Sequence, residues 1–112
     1  MNIANEMKAK EAKEFSRKNG VVMRIMLTLF PRGFFNIEEL LGALAAYKDM
    51  STDDVLAAVD YFADKGYIDV RHIETKETVL ACDYDSDEIE MRVRAEGVLI
   101  GKNIIEDIGI EL

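Results

Sequence analysis

Carboxylates alternate through Asp83-Tyr84-Asp85-Ser86-Asp87, the spacing with which a calcium loop starts to wrap its ion. Such a loop also needs glycine at its sixth place and a bidentate glutamate at its twelfth. This chain has Glu88 and Arg94 there, so the segment reads as a solvated hairpin turn and no metal is expected. His72 and Cys82 are the sole residues of their kinds, too few for a zinc ligand set of the usual type. Cys82 has no basic pair beside it in sequence to lower its thiol pKa, so packing within a strand is its expected role. The carboxylate pairs Glu38-Glu39 and Glu88/Glu90 fall on faces that meet water. No phosphate loop, dinucleotide fingerprint, metalloprotease helix or nucleophile elbow is present, and neither an enzyme nor a bound cofactor is expected.

The remaining chemistry is charge. The sequence of 112 residues has a formal net charge of −8, unevenly spread. Through Arg32 there are seven basic residues against three acidic ones, and after it seven against nineteen. An acidic chain is not drawn to phosphate backbones by its overall field, so any nucleic-acid contact must come from a local patch. Two patches qualify: a basic arm with Lys8, Lys10, Lys13, Arg17 and Lys18, and a later group of Arg71, Lys76, Arg92 and Arg94.

Positioning these residues falls to a short series of elements. Val22, Ile25, Met26 and Leu29 follow helical spacing, as do Ile37, Leu40, Leu41 and Leu44, and then Val55, Ala58, Val59 and Phe62. Helices are therefore expected near 21–30, 37–47 and 52–65. Pro31 and Gly33 end the first, Asn36 with Glu39 caps the second, and Ser51 with Asp54 forms a capping box for the third. Residues 2–18, rich in Ala, Glu and Lys, make a further helix with a thin apolar stripe. Asn19-Gly20 either breaks it from the next helix or lies inside one long helix. After Gly66 the pattern alternates: Ile68, Val70 and His72 share one strand face, while Asp69, Arg71 and Ile73 share the other. Thr78 to Cys82 is expected as a second strand and 89–93 as a third, with helical periodicity returning from Ala95. Phe34 and Phe35 are expected to staple the preceding loop to the second helix.

Hydrophobic residues at 49% and charged residues at 32% fit a globular chain, expected as one domain over 1–112. Its parts are a basic helical arm (1–20), a core (21–94) and a C-terminal helix or tail (95–112). No apolar run approaches the roughly eighteen residues of a membrane span, and the charged first fifteen residues do not read as an export signal. With a lone cysteine, a reducing cytoplasm is the expected location.

Three helices, the third capped and running through Phe62-Ala63-Asp64-Lys65-Gly66-Tyr67-Ile68 into a strand, resemble winged helix-turn-helix transcription regulators. Met91-Arg92-Val93-Arg94-Ala95-Glu96-Gly97-Val98-Leu99-Ile100 is similar to the exit from the wing into a C-terminal helix. The ending Ile105-Glu106-Asp107-Ile108-Gly109-Ile110 is similar to those of small phage- and prophage-encoded winged-helix proteins. The resemblance spans residues 21–110. It implies an α+β, mainly α, winged helix-turn-helix that binds DNA and regulates transcription.

One departure redirects that implication. The family's third helix reads base edges with Arg, Lys, Asn or Gln, whereas the exposed positions here hold Asp53, Asp54, Ala57, Asp60, Tyr61, Asp64 and Lys65. Carboxylates on that face repel the backbone, so DNA contact is assigned to Arg71, Lys76, Arg92 and Arg94 or to the basic arm. The alternative is an acidic winged-helix module, or a DNA mimic, that meets a protein partner through Asp53, Asp54, Asp60, Tyr61 and Asp64. Apolar residues in excess of the expected core (Ile3, Met7, Phe15, Val98, Leu99, Ile105) point to a homodimer held by arm and tail.

Overall fold

The computed structural model describes residues 3–112; Met1 and Asn2, the start of the expected arm, lie outside the described residues. The elements are α1 (Ile3–Leu29), β1 (Phe35–Asn36), α2 (Ile37–Leu44), α3 (Thr52–Asp64), β2 (Ile68–His72), a 3₁₀ turn (Ala81–Asp83), β3 (Ile89–Val93) and α4 (Ala95–Gly101). The class is α+β and mainly helical, as expected. All strand pairing is antiparallel, with order β1-β3-β2.

The caps set the helix starts. Asn36 accepts from the Glu39 amide at 2.8 Å, and Ser51 exchanges bonds with Asp54 in a complete capping box. Helix α2 ends at Leu44, three residues before the expected boundary, because residues 45–50 close a series of turns. Gly66, at φ +78°, supplies the left-handed residue that turns α3 into β2. The inner sheet face (Ile68, Val70, Ile89, Met91) is buried with Val22, Met23 and Met26 of α1, Ile37 and Leu40 of α2, and Val55, Val59 and Phe62 of α3.

Helix α1 runs without interruption through Asn19-Gly20, which settles the two readings left open by the sequence. The pair serves the chain's other end. The buried Asn19 amide donates to the Gly109 carbonyl at 2.9 Å, and the Glu111 carbonyl lies so close to Gly20 that a Cβ there would sit 1.7 Å from its oxygen.

Three expectations need correction. Residues 78–82 are not a strand: Thr78 bridges Arg71, the Val79 amide bonds to Val70, and the chain then turns to bury Ala81 under α3. Cys82, on that turn, is exposed and does not pack in a strand. Residues 102–112 are not a helical continuation. Asn103 at φ +60° stops α4, and the tail folds back as an irregular strap on α1 and α3. Strand β1 has no counterpart in the expected elements: Phe35 is buried, stacks on Phe30 at 4.5 Å between ring centroids, and pairs with Met91. Among the described residues, no helix is long and apolar enough to cross a membrane.

Candidate nucleic-acid interface

Strand alternation sends Ile68 and Val70 inward and therefore Asp69 and Arg71 outward. The register sets Asp69 opposite Arg92 and Arg71 opposite Glu90, so opposite charges meet across the strands. Arg94, just beyond β3, and Lys76, in the turn after β2, extend this outer face at its two ends. The four cations Arg71, Lys76, Arg92 and Arg94 thus converge on one surface.

Two carboxylates hold all four. Asp69 accepts from Arg92 at 3.1 Å and from Arg94 at 2.9 Å. Glu90 accepts from Arg71 at 2.7 Å and from Lys76 at 3.3 Å. Partial burial works against ionisation of Asp69, but the Arg94 and Arg92 hydrogen bonds outweigh it and hold the carboxyl below its ordinary range. Burial opposes ionisation of Glu90 in the same way, and Arg71 and Lys76 outweigh it. A third acid, Glu96, stands 3.7 Å from Arg94 at the edge. An open depression of about 480 Å³ lies between Asp69, Arg92, Arg94 and Glu96.

Phe34 is the part of this surface that sequence reasoning missed. The Arg71 guanidinium lies 3.5 Å from its ring centroid and that of Arg92 lies 5.0 Å away. The ring faces attract both cations and restrict their swing. Its signal was present in the alternation of Phe34 with the buried Phe35, which points the first ring outward once Phe35 is assigned to a strand.

The arm divides into two groups. Lys8, Lys10 and Lys13 are exposed and form no ion pair among the described residues. Arg17 instead bridges Glu14 at 3.0 Å and Asp49 at 2.5 Å, and Lys18 reaches Asp54 at 3.0 Å, so both tie α1 to the body.

The acidic residues of α3 do not form one open face. Asp53 and Asp64 are exposed, but Asp54 is taken up by its cap and Lys18. Asp60 faces the 3₁₀ turn; burial pushes its carboxyl up, and its Oδ1 is buried with no hydrogen-bond partner. Tyr61 packs edge-on against Phe15, and its hydroxyl donates to Asp107. Of the apolar set assigned to a dimer, Ile3, Met7 and Ile105 are exposed, Phe15 rests on Tyr61, and Val98 and Leu99 are half-buried on α4. The acidic hairpin turn folds on itself, with Glu88 accepting from the Asp85 amide at 3.0 Å.

Compared with known proteins, the chain matches no family model, no curated protein and no solved structure.

Proposed function

We propose that this chain is a winged-helix regulator of transcription that grips duplex phosphates with the outer face of its β2–β3 hairpin, leaving α3 out of the groove. A capped third helix running through Gly66 directly into a hairpin supports the winged-helix arrangement, with that hairpin as the wing. The observation that carries the binding reading is the convergence of Arg71, Lys76, Arg92 and Arg94 on one exposed surface. Lys76, Arg92 and Arg94 are open to water while Arg71, Asp69 and Glu90 are half-buried, so a phosphate reaching these cations competes with the two carboxylates. Guanidinium groups also match phosphate oxygens bidentately. Helix α3 buries its apolar stripe beneath the inner sheet face, and Asp64 at its end shares a depression with Asp69 and Arg94.

The test is binding to a short mixed-sequence duplex across a salt series. Four phosphate contacts give a slope of log affinity against log salt of about −3 to −4. Arg92→Ala with Arg94→Ala should weaken binding and reduce that slope by about 2. Absence of binding even in low salt would sink this reading and favour an acidic interaction module that meets a protein through Asp53 and Asp64.

The reading includes a homodimer. Ile108 is 97% exposed although its carbonyl is tied to Ser16 and its neighbour Gly109 to Asn19. A pinned backbone presenting bare isoleucine is the kind of apolar surface that marks a partner site, and two-fold pairing is the commonest solution.

A further inference from the structure

We propose that Asp69 and Glu90 are built-in phosphate surrogates, each holding two cations of the outer sheet face in place until a duplex backbone displaces it. The inference rests on the reading of that face as the phosphate-contacting surface, and concerns what sets its affinity and selectivity. Each carboxylate spans two elements: Asp69 on β2 takes Arg92 and Arg94 from β3 and its exit, while Glu90 on β3 takes Arg71 and Lys76 from β2 and the following turn. Phe34 lies against Arg71 and Arg92, so the guanidinium planes stay ordered when their carboxylates are released.

The arrangement discriminates by charge density. A single anion such as an acidic side chain can replace one surrogate at best, and gains nothing over the carboxylate already there. A duplex brings about one charge per 1.7 Å of axis and can meet all four cations at once, releasing its counterions as it does so. The surrogates therefore raise the threshold for binding. They keep the cations from isolated anions and admit a dense phosphate array, at lower affinity than bare arginines would give.

Neutralising a surrogate should strengthen binding. Asp69→Asn and Glu90→Gln are compared with the wild-type chain and with Glu106→Gln, which removes the same charge from an exposed tail residue with no ion pair among the described residues. Affinity for the mixed-sequence duplex is read by fluorescence anisotropy across a salt series, and thermal melts confirm that each variant is folded. The expected result is about tenfold tighter binding by Asp69→Asn, the scale of one charge-assisted contact, with the salt slope kept at about −3 to −4 because the same four cations meet phosphate. Glu90→Gln should move in the same direction, and Glu106→Gln should show only a small gain with no change of slope. If the wild-type chain binds, Arg92→Ala with Arg94→Ala weakens binding and flattens the slope, and Asp69→Asn gains no more than Glu106→Gln, the surrogate role is refuted while the phosphate contact by this face stands. If no variant binds in low salt, both fall together.

Discussion

The Tyr61 hydroxyl on α3 donates to the Asp107 carboxylate in the tail at 2.6 Å, fastening the chain's last ten residues to its third helix. Tyr67 donates to the other oxygen of the same carboxylate, and the Gly109 amide adds a third bond. Burial and the hydrogen bond to Asp107 push both phenols from 10.0 up to about 12. A raised folded-state pKa gives stability that is complete below the unfolded value and is lost as pH rises through the folded one. The chain should therefore lose stability between about pH 10 and 12, as read by urea midpoints at stepped pH. Tyr61→Phe should cost about 1–2 kcal/mol at neutral pH and flatten that alkaline loss.

Asp107 titrates in the opposite sense. Burial opposes its ionisation, but the Tyr61 and Tyr67 hydrogen bonds outweigh it and hold the carboxyl below its ordinary range. Asp69 and Glu90 are also lowered, so stability present above the ordinary carboxylate range should be lost as pH falls through the folded values. Asp107→Asn should make the acid limb shallower. An unchanged acid limb would show that the strap carries none of this linkage.

Two glycines should respond oppositely to alanine. At Gly20 the added Cβ would meet the Glu111 carbonyl backbone at 1.7 Å, so the tail must leave α1. The expected cost is about 2 kcal/mol or more, despite the helix-propensity gain of about 1 kcal/mol. Gly42 in α2 has nothing within 4 Å of the same position. There the propensity gain stands alone, and Gly42→Ala should stabilise by about 0.5–1 kcal/mol. Chemical denaturation of the two variants decides it.

The helices were legible because their signals are local: the Asn36 and Ser51 caps, Gly66, and three apolar stripes each declare themselves within a few residues. The outward direction of Arg71 and Arg92 followed from strand alternation in the same way. What the sequence concealed depends on distant partners. Asn19-Gly20 looks like a break until Glu111 docks on it, and Val79 looks like strand until Ala81 is drawn under α3. The pairing of Arg71, Arg92 and Arg94 with carboxylates needs the register between β2 and β3, which no local pattern gives.

Oligomeric state bears most directly on how wings would meet a palindromic site, and the structure separates the two surfaces proposed to hold a dimer. Ile3 is 75% exposed near the start of α1, and at 1.5 Å per residue it stands about 20 Å along the helix from Ser16, where the tail is tied. The tail surface is a different patch, with Ile104 at 66% and Ile108 at 97% exposure. Light scattering at micromolar concentration should report about twice the 12.7 kDa chain mass. Ile108→Lys leaves the core untouched and should melt like the parent, so a fall to monomer would assign the interface to the tail. Ile3→Lys with Met7→Lys tests the arm independently, because both side chains are exposed. Dimer loss in the tail variant alone would leave Lys8, Lys10 and Lys13 free to meet phosphate beside the wing. A monomeric wild-type chain would refute the dimer and with it the expectation of paired half-sites.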